Sequence, residues 1–134
     1  MQEALSDPHF PDTEVEKFYT YGFAHYGTGN WAEAADVFRV LCTKRPLEAR
    51  FWFALGATLQ EARSYHDALH SWAMAALLTK EDPYPHFHAA ECCFSLLMKE
   101  DASKALMEAE QRALKEPNHP LKDKIGLLKQ QWRL

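Results

Sequence analysis

The feature that most restricts what this chain can fold into is a period: residues of matching character recur 34 positions apart. Gly22 is followed by Gly56 and then Ala90, Trp31 by Tyr65, Ala34 by Ala68, and Phe38 by Trp72. The agreement runs through both halves of the unit. Self-similarity at this length marks an array of small helical units, each unable to bury its apolar face alone, so that neighbours must stack to make one core. A chain of 134 residues holds three such units and one further helix.

Within the first unit Phe18, Tyr21, Gly22 and His25 fall at i, i+3, i+4 and i+7, and Ala34, Phe38 and Leu41 continue a helical spacing. Between the two helices lies GTGNWAE, where Gly29 suits a left-handed turn and Asn30 with Glu33 suits a capping box. Ser64 with Asp67 repeats that pair, and Asp101 is the expected third cap. Small residues at Gly22, Gly56 and Ala90, facing Ala34, Ala68 and Ala105, let paired helices approach closely. This is the tetratricopeptide (TPR) pattern. Its third unit is expected to be longer, because Ala90 and Ala105 are 15 apart where the earlier pairs are 12 apart, so that SLLMKED adds nearly a helical turn. After Pro117, Pro120 opens a stripe of Leu121, Ile125, Leu128 and Trp132 that suits a terminal capping helix. The expected fold is all-α: three TPR helix-turn-helix repeats in a right-handed solenoid plus that cap. The domain spans 15–134, with repeats at about 15–46, 49–80 and 83–117 and the cap at about 120–133, behind an irregular arm at 1–14 holding Pro8 and Pro11.

The first helix of each unit carries a second stripe: Glu16, Tyr19, Phe23 and Tyr26, then Arg50, Phe53, Ala57 and Gln60, then Tyr84, Phe87, Glu91 and Phe94. Seven of these twelve positions are aromatic against 17 of 134 overall, so the stripe is enriched beyond what composition supplies. First helices line the concave side of such a stack, which makes these residues a candidate peptide-binding groove. An apolar groove left open invites a partner.

Other chemistry is poorly supported. A net charge of −4 lacks the basic face that phosphate binding needs, so no nucleic-acid partner is expected. No apolar run is long enough to cross a membrane, the N-terminus lacks the order of a signal peptide, and a cytoplasmic location is expected. Cys42, Cys92 and Cys93 fit no disulfide framework and no C-x-x-C pair, and are read as reduced thiols. His66 and His70 share a helix face without a third ligand, and His88 with Glu91 beside Cys92 and Cys93 lacks the rest of a zinc-deaminase signature. GTG at 27–29 follows a helix and is a turn, not a nucleotide loop. No catalytic residue, metal or cofactor is expected.

The blocks RFWFALGA, from Arg50 to Ala57, and FHAAEC, from Phe87 to Cys92, are narrower than the repeat pattern requires. With EARSYHDALHSW and DPYPHFHAAECC around them, the chain closely resembles the SycD/LcrH-like class II chaperones of type III secretion over roughly Val15 to Leu134. The resemblance implies a non-enzymatic cytoplasmic chaperone that keeps a secreted translocator export-competent, with an extended segment near the translocator's N-terminus lying in the concave groove. Tyr19, Phe23, Tyr26, Phe53 and Phe87 match that groove by position and type. The family's longer helical N-terminal region contributes to a homodimer. Here about 14 residues precede the first repeat, so a homodimer is possible and its formation by that route is not expected. Two alternatives are a TPR chaperone of a needle subunit in the same system and a generic TPR scaffold. The scaffold clamps a C-terminal carboxylate with cations, whereas these stripes offer Arg50 against Glu16 and Glu91.

Overall fold

The computed structural model describes residues 10–133, which form seven α-helices and no strand among the described residues. They run α1 (Asp12–Gly27), α2 (Trp31–Lys44), α3 (Ala49–Glu61), α4 (Tyr65–Leu78), α5 (Tyr84–Ser95), α6 (Lys99–Ala113) and α7 (Leu121–Trp132). Most of the expected arm, residues 1–9, lies outside the described residues. The rest of it departs from expectation: α1 starts at Asp12 on an extended Pro11, where acidic Asp12 and Glu14 suit the positive helix end.

Three helix pairs are closed by one turn used three times. Gly29, Arg63 and Leu97 each sit in the left-handed region, at φ 78°, 62° and 62°. The next residue's N–H then donates back to the carbonyl five positions earlier, Asn30 to His25, Ser64 to Leu59 and Met98 to Cys93, at 2.9, 2.8 and 2.9 Å. This is the hydrogen-bond signature of a glycine-type helix stop, and it satisfies carbonyls the ending helix leaves open. Two expectations fail here. Asn30 and Ser64 do occupy the N-cap positions, but neither side chain caps its helix. The Asn30 amide donates instead to Thr28 Oγ1 at 3.1 Å, and Glu33 lies 3.0 Å from His25 Nδ1, so no capping box forms.

The third unit is not lengthened. Its N-cap is Met98, not Asp101, and the residue facing Ala90 is the buried Ala102, restoring the spacing of 12 seen in the first two pairs. Ala105 is one helical turn further on and only partly buried. The close approach is geometric: a Cβ on Gly22 would come within 2.6 Å of the Phe38 ring, and one on Gly56 within 2.8 Å of the Trp72 indole.

The core has two parts. α1 to α4 enclose Phe38, Leu41, Phe51, Leu59 and Trp72, while α5 to α7 enclose Phe87, Leu106, Leu121, Ile125 and Trp132, with Leu69 packed against both. The extensive helix contacts are all between consecutive helices. Ion pairs joining residues one repeat apart, Glu16 with Arg50 and Glu81 with Lys115, tie the units along their edges.

Candidate functional site: an aromatic concave groove

α1 and α3 present most of their second stripe to one open cavity of about 510 Å³, lined by Tyr19, Phe23 and Tyr26 of α1, Ala49, Arg50, Phe53, Ala54 and Ala57 of α3, Trp72 of α4 and His88 of α5. Helical spacing puts Tyr19, Phe23 and Tyr26 one turn above another, and their rings interlock edge-to-face at 4.9 and 5.9 Å. Phe53 meets the Trp72 indole edge-on at 5.6 Å. The wall is therefore built from rings that hold one another, which lowers the entropy lost when a ligand settles on them.

Each end of the groove is polar and internally paired. At one end Arg50 donates to both carboxylate oxygens of Glu16, donates from Nε to Glu48 at 2.8 Å, and lies 4.9 Å over the Tyr19 ring. The Arg50 hydrogen bond holds the Glu16 carboxyl below its usual range, and its partner carboxylates hold Arg50 protonated. Burial raises the Tyr19 and Tyr26 hydroxyls, with Arg50 opposing the shift at Tyr19, so both stay neutral donors near pH 7. At the other end Trp72 Nε1 donates to Gln60 Oε1 at 3.1 Å, and Gln60 Nε2 donates to Glu91 Oε1 at 3.0 Å. His88 Nδ1 lies 2.7 Å from the same oxygen, and its ring stacks on Trp72 at 4.7 Å.

Of the residues expected in the groove, Tyr19, Phe23, Tyr26, Arg50, Phe53 and Ala57 line the cavity, with Gln60 and Glu91 in the polar network at its end. Tyr84, the first residue of α5, packs beside His88 and His119 and does not line the cavity. Two expectations are corrected. Phe87, 6% exposed, belongs to the second core, and Phe94 lies face to face on Trp132 at 4.3 Å, holding the cap α7. Both rings are taken by the fold because α5 must cover α6 and α7 as well as face the groove. Trp72 and His88 were missed as lining residues. Trp72 reads as the repeat partner of core Phe38, while His88 stands 34 after Ala54, a lining position that the stripe count passed over.

Among the described residues no group of three metal-ligating side chains is arranged to hold an ion, and His66 and His70 are both exposed. The three cysteines are buried free thiols. No helix among the described residues is long and apolar enough to cross a membrane.

The tetratricopeptide repeat family model matches residues 15–45 and 51–82. Low calcium response locus protein H of Yersinia pestis is 35% identical over 91 residues, 68% of this chain and 52% of that protein, so the chain spans about half the length of the curated relatives it matches. The structure of PcrH from Pseudomonas aeruginosa in complex with the chaperone binding region of PopD superposes with a TM-score of 0.84 at 31% identity, over 92% of this chain and 93% of that one. The type III secretion chaperone SycD of Yersinia enterocolitica, in complex with a peptide of the translocator YopD, superposes with a TM-score of 0.85 at 28% identity over 95% and 97%. A shared helical repeat, a shared span and this level of identity together place the chain in the SycD/LcrH-like family of tetratricopeptide-repeat type III secretion chaperones.

Proposed function

We propose that the concave groove holds an extended apolar segment near the N-terminus of a secreted translocator, and that the protein acts in the cytoplasm as a non-catalytic chaperone keeping that cargo export-competent. The observation that carries this reading is the lining: five aromatic rings around an open cavity whose one Lys or Arg among the described residues, Arg50, is already engaged by Glu16 and Glu48. Such a surface favours apolar side chains over a terminal carboxylate, because an incoming carboxylate would have to displace two ion pairs. The complexes of PcrH with a region of PopD and of SycD with a peptide of YopD support the same assignment.

The test is calorimetric titration of the translocator encoded in the same genome, or its N-terminal segment, into the purified chain. Truncating an interface anchor commonly costs about 2 kcal/mol, so Phe53→Ala and Phe23→Ala should each weaken binding by about tenfold or more. Binding that survives both substitutions, or that requires the cargo's C-terminal carboxylate, overturns the reading.

A further inference from the structure

A second cavity opens on the other side of Trp72, in the cleft between α4 and α5. It measures about 640 Å³, larger than the groove and within the range of ligand sites, and is lined by Leu69, Ala73, Ala76 and Leu77 of α4, Pro85, His86 and Ala89 of α5, with Lys80 and Arg112 at one end. Trp72 lines both cavities.

The repeat supplies an internal control. The cavity one unit earlier, in the α2–α3 cleft and extending to Asp67, His70 and Ser71 of α4, is only about 350 Å³. There Arg39, Cys42, Thr43, Trp52 and Leu55 stand where the second cleft has Ala73, Ala76, Leu77, His86 and Ala89. Four of the five changes remove bulk, and Arg39 and Thr43 give way to apolar residues. Leu77 is left 67% exposed at its rim. A helix pair that only needed to stack would have no use for this, since the first cleft stacks well with polar residues in place.

The lining charge is basic: among the described residues no carboxylate lines the second cleft, although Glu108 pairs with Arg112 at its edge. Lys80 has no ion-pair partner among the described residues, and Glu81 beside it is committed to Lys115. Arg112 spends Nε on the Lys80 carbonyl and Nη1 on Glu108, leaving Nη2 unpaired in the described structure. Burial first, and then Arg112, lower the basicity of His86, against the opposing influence of the Glu108 and Asp82 carboxylates.

We propose that the α4–α5 cleft is a second docking site, taking a short segment of a partner protein that carries two leucine-sized side chains with a carboxylate at one end. The apolar pair covers Leu77 and fills the space left by Ala73, Ala76 and Ala89, and the carboxylate meets Lys80 and Arg112. Nothing in this depends on the concave groove being occupied.

The probe is a short capped peptide with a Leu-Leu pair followed by Glu-Glu in a Gly/Ser background, compared with its Lys-Lys counterpart, by methyl NMR on the full chain. The Glu-Glu peptide should give saturable shifts at Leu69, Leu77, Ala73 and Ala76 and none at Ala57 in the groove. Losing a contact to a charged group costs enough that the Lys-Lys peptide, or the Lys80→Ser variant, should bind about tenfold more weakly. Ala73→Arg with Leu77→Thr grafts the first cleft's residues onto two exposed positions and should abolish the shifts with little change in Tm. Lys80→Ser keeps the test decisive should that double variant fold poorly. Equal response to both peptides, or none, overturns the proposal. So does self-association in sedimentation that the double variant removes, which would make the occupant a second copy of the chain. Phe23→Ala, whose ring meets Tyr19, Tyr26 and Phe38 and makes no ring contact with Trp72, should leave these shifts intact, so failure here is separable from failure of the groove assignment.

Discussion

Replacing Gly56 by alanine adds one methyl group at the point where α3 meets α4. The built Cβ would sit 2.8 Å from Trp72 Cε2 and 2.9 Å from Cδ2, against an optimum of about 3.5–4.0 Å for carbon pairs. The indole cannot retreat cheaply: its Nε1 is bonded to Gln60, His88 stacks on its face, and Phe53 abuts it edge-on. Overpacking of this kind costs about 1–3 kcal/mol. Alanine returns about 1 kcal/mol in helix propensity, so the net expectation is a loss of about 1 kcal/mol. Gly126 in α7 is the matched control, since nothing lies within 4 Å of its built Cβ and only the propensity gain of about 1 kcal/mol applies. In a chain of this size 1 kcal/mol moves Tm by about 4 °C. Thermal melts should thus move in opposite directions, Gly56→Ala down and Gly126→Ala up. A Gly56→Ala protein that melts at or above the parent would refute the claim that this glycine exists for close approach. The same substitution displaces a wall of the groove, so cargo affinity should fall with it.

Three further outcomes are expected. Arg63→Gly and Leu97→Gly should each raise urea midpoints, because relief of about 1–2 kcal/mol of left-handed strain exceeds the 0.5–1 kcal/mol or so of extra glycine entropy; unchanged midpoints would mean the turns carry no strain. Phe94→Ala should cost about 3 kcal/mol and speed amide exchange in α7 while leaving α1 to α4 protected, since Phe94 stacks on Trp132 of the cap; uniform exchange would contradict this. Burial pushes the Cys42 and Cys92 thiols from an ordinary 9.0 up to about 12, so the unfolded chain loses these protons first, and stability should fall as pH rises from about 9 towards 12. A Cys42→Ala, Cys92→Ala protein that loses stability just as steeply over that window would count against it.

The period of 34 made the helix pairs and the stripe on α1 and α3 legible, because both follow from spacing alone. What it concealed lay where a position's chemistry changes and its backbone does not. Asp101 looked like a cap because it is the residue type that caps helices, yet Met98 holds the position that repeats Asn30 and Ser64. The third turn has lost its polar residues, and only counting from the first two would have kept the register. Arg63 and Leu97 are hidden in the same way, as they adopt a conformation that glycine alone advertises. Phe87 and Phe94 share a stripe with groove residues, but α5 is flanked by the second core and the cap, and stripe membership does not distinguish a ring facing a groove from one facing a neighbouring helix.

Because extensive contacts join only consecutive helices, the bare chain is a row of springs, each stiffened by the next. Little transmits a load from the first pair to the third except the pair between them, so fraying can start at either end and proceed inward. The groove draws its walls from α1, α3, α4 and α5 at once. A segment lying in it would act as a splint across non-adjacent units, turning a row that melts piecemeal into one that melts together, and its departure would leave the row free to loosen again.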